Sequence, residues 1–229
     1  MSTSNNPSGG AKMTSISPED RNEIVRRFES LKEPVTILFH KPEGKENDFS
    51  DFLSALEDIC SMSELLSTMD MVEMETDEDL IHDVDMFPAL VLLDGNGDHH
   101  GIRFYGIPSG KLFEVFIDTI VMISSGEDGL EKGAKERVMA LDENKLLILC
   151  TPGVPGLGPF LMNCMRMAFV SERIECGVAD LIQFPELAEE YHVLDMPKTI
   201  SNSQLRFSGI YSLDETLEIL EKRIGDAED

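Results

Sequence analysis

The sequence has no tryptophan, only four cysteines, and few bases: 19 Lys and Arg against 44 Asp and Glu. The resulting formal net charge of −25 argues against nucleic acid or an anionic membrane as a partner, since both attract Lys and Arg stripes and repel carboxylates. So much acid reads as a solvated, soluble surface rather than a patch kept for a basic partner. No pair among Cys60, Cys150, Cys164 and Cys176 forms C-x-x-C, which excludes a zinc knuckle. Those thiols read first as small apolar core residues. No apolar run approaches the length of a membrane span, and no charged stretch followed by an apolar one opens the chain. The expectation is a cytoplasmic protein.

What is present is a repeated strand and helix pattern over 229 residues, enough for two domains each with its own core. Residues 1–16 are small and polar and read as a disordered tail. Ser17-Pro18-Glu19-Asp20 has the residue types of a helix start, with a hydroxyl cap, a proline in the first turn and acids facing the dipole. Strand 35–39 follows, then a helix from Phe49 to Cys60, a strand near 71–75 and a short acidic helix near 78–84. Phe87-Pro88 precedes the apolar strand 89–93, which a turn at 94–98 joins to strand 102–105 as a hairpin. A helix over 111–124 closes this half.

After a helix over 131–140 the same order returns. Strand 146–150, helix 159–170, strand 175–181 and helix 185–191 lead to Met196-Pro197, strand 198–200, strand 205–207 and helix 213–224. Arg103-Phe104-x-Gly106-Ile107 in the first half matches Arg206-Phe207-x-Gly209-Ile210 in the second, and each half has one proline just before its third strand. A repeat with matched punctuation indicates two copies of one fold, over 17–126 and 127–229.

Several motifs fail on inspection. The loop from Gly153 to Gly158 at a helix start suggests phosphate, but lacks the Lys and Ser/Thr of a P-loop and the glycine order of a dinucleotide site. Asp94-x-Asn96-x-Asp98 begins like a calcium loop, yet has His99 where the sharp turn needs glycine and Tyr105 where the bidentate Glu belongs. His99 and His100 read as turn residues, the acids over 73–85 as a solvated face. No metal and no cofactor is expected.

Strand, helix, strand, helix, X-Pro, hairpin, helix is the arrangement of a thioredoxin-like domain. From about residue 20 the chain resembles the tandem thioredoxin-fold protein disulfide oxidoreductases of prokaryotes, also called glutaredoxin-like proteins. The closest likeness is Arg103-Phe104-Tyr105-Gly106-Ile107-Pro108-Ser109-Gly110. The resemblance implies an α/β fold, two tandem thioredoxin-like domains each with a mixed sheet flanked by helices. It also implies a C-x-x-C where a helix follows the first strand of a half, its first thiolate attacking a disulfide and its second cysteine resolving the intermediate. Aligned by the helix, those positions fall on Asn47 and Ser50 in the first half, and on Gly158 and Leu161, around Pro159 and Phe160, in the second. Alignment from Thr151-Pro152 instead gives Val154 and Leu157. No register supplies a thiol.

The resemblance further implies that Pro88 and Pro197 are cis-prolines whose loops receive an extended peptide. The surfaces concerned hold Phe49, Phe87 and Pro88 in one half and Pro159, Phe160, Met196 and Pro197 in the other. The expected function is therefore not enzymatic: a redox-inactive adaptor or chaperone-like module for an unidentified protein or peptide, with monomer and homo-oligomer both open. One alternative is a thiol-disulfide oxidoreductase using Cys150, at the strand end, and Cys164, in the following helix. Another is a structural subunit of a larger enzyme complex.

Overall fold

The computed structural model describes residues 16–41, 49–70, 84 and 86–225. α1 (Pro18–Phe28) begins as its residue types require, the Ser17 hydroxyl accepting the Asp20 amide at 3.1 Å. In β1 (Val35–His40), Val35, Ile37, Leu38 and Phe39 are all buried, the pattern of a strand covered on both faces. α2 (Ser50–Cys60), β2 (Leu66–Asp70), β3 (Ala89–Leu93), β4 (His99–Tyr105) and α3 (Gly110–Ser125) complete the first half. The second contains α4 (Lys132–Ala140), β5 (Asn144–Cys150), α5 (Leu157–Val170), β6 (Ile174–Asp180), α6 (Pro185–Glu190), β7 (Lys198–Ser201), β8 (Leu205–Ser208) and α7 (Leu213–Gly225).

Two expectations shift. The second strand is β2 at Leu66–Asp70, whereas 71–75 lies outside the described residues, as do the tail 1–15 and the acidic helix at 78–83. α5 starts two residues before the expected 159, because Gly156 takes a left-handed φ of 75° as its N-cap and frees Leu157 to begin the helix.

The eight strands of the described residues form one sheet in the order β2-β1-β3-β4-β6-β5-β7-β8. Each half contributes four strands with equivalent connections, and the halves join by parallel pairing of β4 with β6, Arg103 opposite Gly177 and Tyr105 opposite Ala179. Alternation along the strands divides the core in two. Ile37, Phe39, Phe104, Ile148, Cys150 and Cys176 face α1, α2, α3, α5 and α7, while Leu38, Val91, Tyr105, Leu149 and Ile200 face the side covered by α6 and Val84.

The chain entering β1 is tied to α3 by one buried hydroxyl. Ser124 accepts the amides of Lys32 at 3.1 Å and Glu33 at 3.2 Å, and donates to the Glu33 carbonyl. Ser124→Ala leaves those backbone groups without that partner and is expected to cost about 2–3 kcal/mol, read as a lower urea midpoint at unchanged m-value.

Candidate functional site

Antiparallel register places both prolines at the same end of the sheet. His40 pairs with Ala89 and Leu149 with Lys198, so Pro88 and Pro197 stand just beyond the C-terminal ends of β1 and β5, where α2 and α5 begin. Both Phe87-Pro88 and Met196-Pro197 are cis. The repeated glycine has a matching task in each half: the Gly106 amide donates to the Pro88 carbonyl at 2.8 Å, and the Gly209 amide to the Pro197 carbonyl at 2.9 Å. The shared R-F-x-G-I element thus fastens each cis-proline loop to its hairpin.

In the first half Phe49 is the N-cap of α2 and makes no side-chain cap bond; its ring stands edge-on to Phe39 with centroids 5.7 Å apart. Ser50 is exposed at the first helical position, and Asn47 lies outside the described residues. Phe87 is 37% exposed and stacks on His40 at 4.1 Å. In the second half the loop after Cys150 closes by short-range turns, Val154 amide to Thr151 carbonyl and Leu157 amide to Val154 carbonyl. Gly158 is open, with nothing within 4 Å of an added Cβ, and Pro159 is exposed. Phe160 and Leu161 point the other way, at 1% and 0% exposure. This corrects the expectation for Phe160: it follows the apolar stripe of α5 into the core and cannot meet a partner. Pro197 itself is buried, leaving Met196 at 43% and Ile210 at 42% exposure as the apolar surface. Ile210, which the sequence analysis names only as part of the repeat and not as a surface residue, has its side chain 3.6 Å from where a Gly156 Cβ would stand.

None of the four cysteines is in a disulfide. Cys164 is buried on α5 and faces Cys176, a neighbour the sequence reading omits; the signal was available, since Cys176 shares the strand face that carries Ile174 and Val178. Its hydrogen bond with Cys164, together with burial, pushes the Cys176 thiol up. Cys150 is pushed up to about 12 by burial and by the Asp180 carboxylate, and Cys60, half-buried at the end of α2, to about 11 by burial and Glu57. A nucleophilic thiol needs the opposite, a pKa lowered toward neutrality.

The raised values carry a pH dependence with a definite sign. An unfolded cysteine titrates near about 8.5, so burial of Cys150 as a neutral thiol contributes stability fully present below that pH and lost progressively as pH rises toward 12. Urea midpoints should fall between about pH 8.5 and 10.5, and fall less in Cys150→Ala. An equal fall in both proteins refutes this assignment.

No family model matches the chain, and no curated protein matches it. Among solved structures it is similar to the NTD_N/C domain of alkylhydroperoxide reductase AhpF from Enterococcus faecalis, with a TM-score of 0.82 at 23% identity, covering 90% of this chain and 100% of that one. It is also similar to a protein disulfide oxidoreductase from Aeropyrum pernix, with a TM-score of 0.76 at 20% identity, covering 91% and 94%. The fold is thioredoxin-like.

In this thioredoxin-like frame the helix start separates the two registers. Gly158 and Leu161 are the second and fifth residues of α5, where regular helix holds Cβ atoms three apart at about 5–6 Å, beyond the roughly 3.5–4.5 Å a disulfide needs. Val154 and Leu157 span the turn that enters the helix, one half-buried and one buried. Across the sheet from Cys150 stands Asp180, a carboxylate 1% exposed that accepts the Ile182 amide at 2.9 Å and the Gln183 amide group at 3.0 Å. Gln183 in turn bonds both backbone groups of Ile107, its Oε1 accepting at 2.8 Å and its Nε2 donating at 2.9 Å. That side chain carries the β4–β6 junction past the end of the strands.

Proposed function

We propose that residues 17–126 and 127–229 form two thioredoxin-like units of one redox-inactive, cytoplasmic module that binds a protein or peptide at its cis-proline surfaces. One observation carries this reading: the apolar surface at Pro197 is kept, with Met196 and Ile210 about two-fifths exposed, while Cys150, Cys164 and Cys176 are wholly buried. An extended peptide can pair with backbone at such a loop without any sulfur chemistry. The test is affinity capture from native extract with wild type, a cysteine-free variant and the double variant Met196→Lys, Ile210→Lys. The proposal expects the same partner on the first two baits and its loss from the third. A partner that requires a cysteine refutes it.

A second reading, a structural subunit of a larger enzyme, is favoured by the likeness to a domain of a reductase. It predicts that the captured partner comigrates with the chain as a stoichiometric complex in size-exclusion chromatography.

A further inference from the structure

Strand register brings the two cis-proline surfaces onto one rim of the sheet, with four further strand ends on the same rim. Ala89 stands opposite Tyr105, Tyr105 opposite Ala179, Asp180 opposite Cys150, Leu149 opposite Lys198, and Lys198 opposite Ser208. Two residues beyond each of these strand ends lies an apolar residue. In the order of the sheet, from β3 through β4, β6, β5 and β7 to β8, they are Phe87, Ile107, Ile182, Pro152, Met196 and Ile210. The row therefore crosses both halves without a break.

Its exposure is concentrated. Among the described residues eight large apolar side chains stand exposed, and four of them are in this row: Phe87, Met196 and Ile210, with Ile182 at 58% in the middle. A fifth, Leu194 at 92%, is two residues before Met196. Val25, Met69 and Met139 are scattered singly on other elements, which is ordinary, whereas a contiguous exposed row marks an interaction site. Ile107 and Pro152 are half-buried between the exposed members. The row is also held in place. Gly106 and Gly209 fasten the two cis-proline loops, the Asp180 carboxylate accepts the Ile182 amide, and Gln183 bonds both backbone groups of Ile107. A partner would meet a preformed surface, with little ordering cost on this side.

Length and charge define what fits. From β3 to β8 is five inter-strand steps, roughly 24 Å, which an extended chain covers with about seven residues. A row one side chain wide suits such a chain better than a second globular copy, whose stable docking would bury about 800 Å² on each side. Among the ionisable groups at this rim, Lys111 holds Glu114 at 2.9 Å and Arg137 holds Asp214 at 2.9 Å. Asp51, Glu186, Asp195 and Glu215, with Asp180 buried beneath, then stand against Lys41 and Lys198, and Lys198 donates inward to the Tyr191 and His192 carbonyls. The acid that the sequence offers as solvation here borders an apolar row, and bases are its complement.

We propose that one extended polypeptide segment of seven or more residues, alternating apolar and basic side chains, lies across both halves along Phe87, Ile182 and Met196. This rests on the reading that the cis-proline surfaces bind peptide, and it makes them the two ends of one site with Ile182 as its centre.

The test is fluorescence anisotropy on the full chain with three labelled peptides: an octapeptide alternating Leu or Val with Lys or Arg, the same octapeptide with Glu at every charged position, and the basic tetrapeptide that is half of the first. The basic octapeptide should bind, and the acidic octapeptide and the tetrapeptide at least ~10-fold more weakly. Phe87→Lys, Ile182→Lys and Met196→Lys should each weaken the basic octapeptide at least ~10-fold, since each breaks the row at a different strand. No binding of the basic octapeptide, or equal binding of either control, overturns the proposal. So does a dimer that Ile182→Lys dissociates in sedimentation, which assigns the row to a second copy. Affinity lost in Met196→Lys but unchanged in Phe87→Lys and Ile182→Lys overturns the single segment and leaves the Pro197 surface as a peptide site, so the two readings fail separately.

Discussion

Gly106→Val is expected to cost about 4–6 kcal/mol, enough to unfold much of the population of a domain of ordinary stability. Two separate effects add. Gly106 has φ of 93°, a region that penalises any residue with a Cβ and a β-branched one most. Its Cβ would also lie 2.9 Å from Nε2 and 3.1 Å from Oε1 of Gln183. The amide would have to leave, breaking both bonds to Ile107 and the one to Asp180, a buried carboxylate. A double-mutant cycle separates the effects: Gln183→Ala alone should cost about 2–3 kcal/mol, and the two changes together less than their sum, because the clash is gone once the amide is absent. Full additivity would show that backbone strain alone accounts for the glycine.

Installing thiols should have the largest chemical effect. The double variant Val154→Cys, Leu157→Cys is expected to form an intramolecular disulfide under mild oxidation, counted by mass after alkylation with and without reductant, whereas Gly158→Cys, Leu161→Cys should stay reduced or cross-link between molecules. The reason lies in the start of α5 at Leu157. The first pair spans a turn closed by the Leu157 amide on the Val154 carbonyl, whereas the second lies inside regular helix, where the Cβ atoms are held too far apart. A bridge at 158 and 161 with none at 154 and 157 would show that the first turn of α5 opens in solution.

Much of the fold was legible because its signals are local. Ser17-Pro18 announced α1, Asp94 to Asp98 announced the hairpin, where the Asp94 carboxylate accepts the Asn96 and Asp98 amides, and the paired R-F-x-G-I segments announced the repeat. What failed was either weakly patterned or non-local. β2 is a five-residue strand at the sheet edge with Ser67, Thr68 and Met69 in the middle, too polar to compete with the more apolar run after it. Gly153 to Gly158 looked like loop throughout, since glycine content hides a helix that a left-handed cap begins early. The contact of Cys164 with Cys176 and the bridge from Gln183 to Ile107 depend on how elements far apart in sequence meet, above all at the β4–β6 pairing. No periodicity within one segment encodes that pairing. The first-half site is legible only in part, because Asn47 lies outside the described residues while Phe49 and Ser50 lie within them.

The most direct test of a thioredoxin-like module working without thiol chemistry is the rate at which wild type reduces a fluorescent glutathione disulfide in the presence of dithiothreitol, set against the variant Cys60→Ser, Cys150→Ser, Cys164→Ser, Cys176→Ser. Equal rates, both at the level of buffer, are the predicted result. Turnover by wild type that disappears in the cysteine-free protein contradicts it.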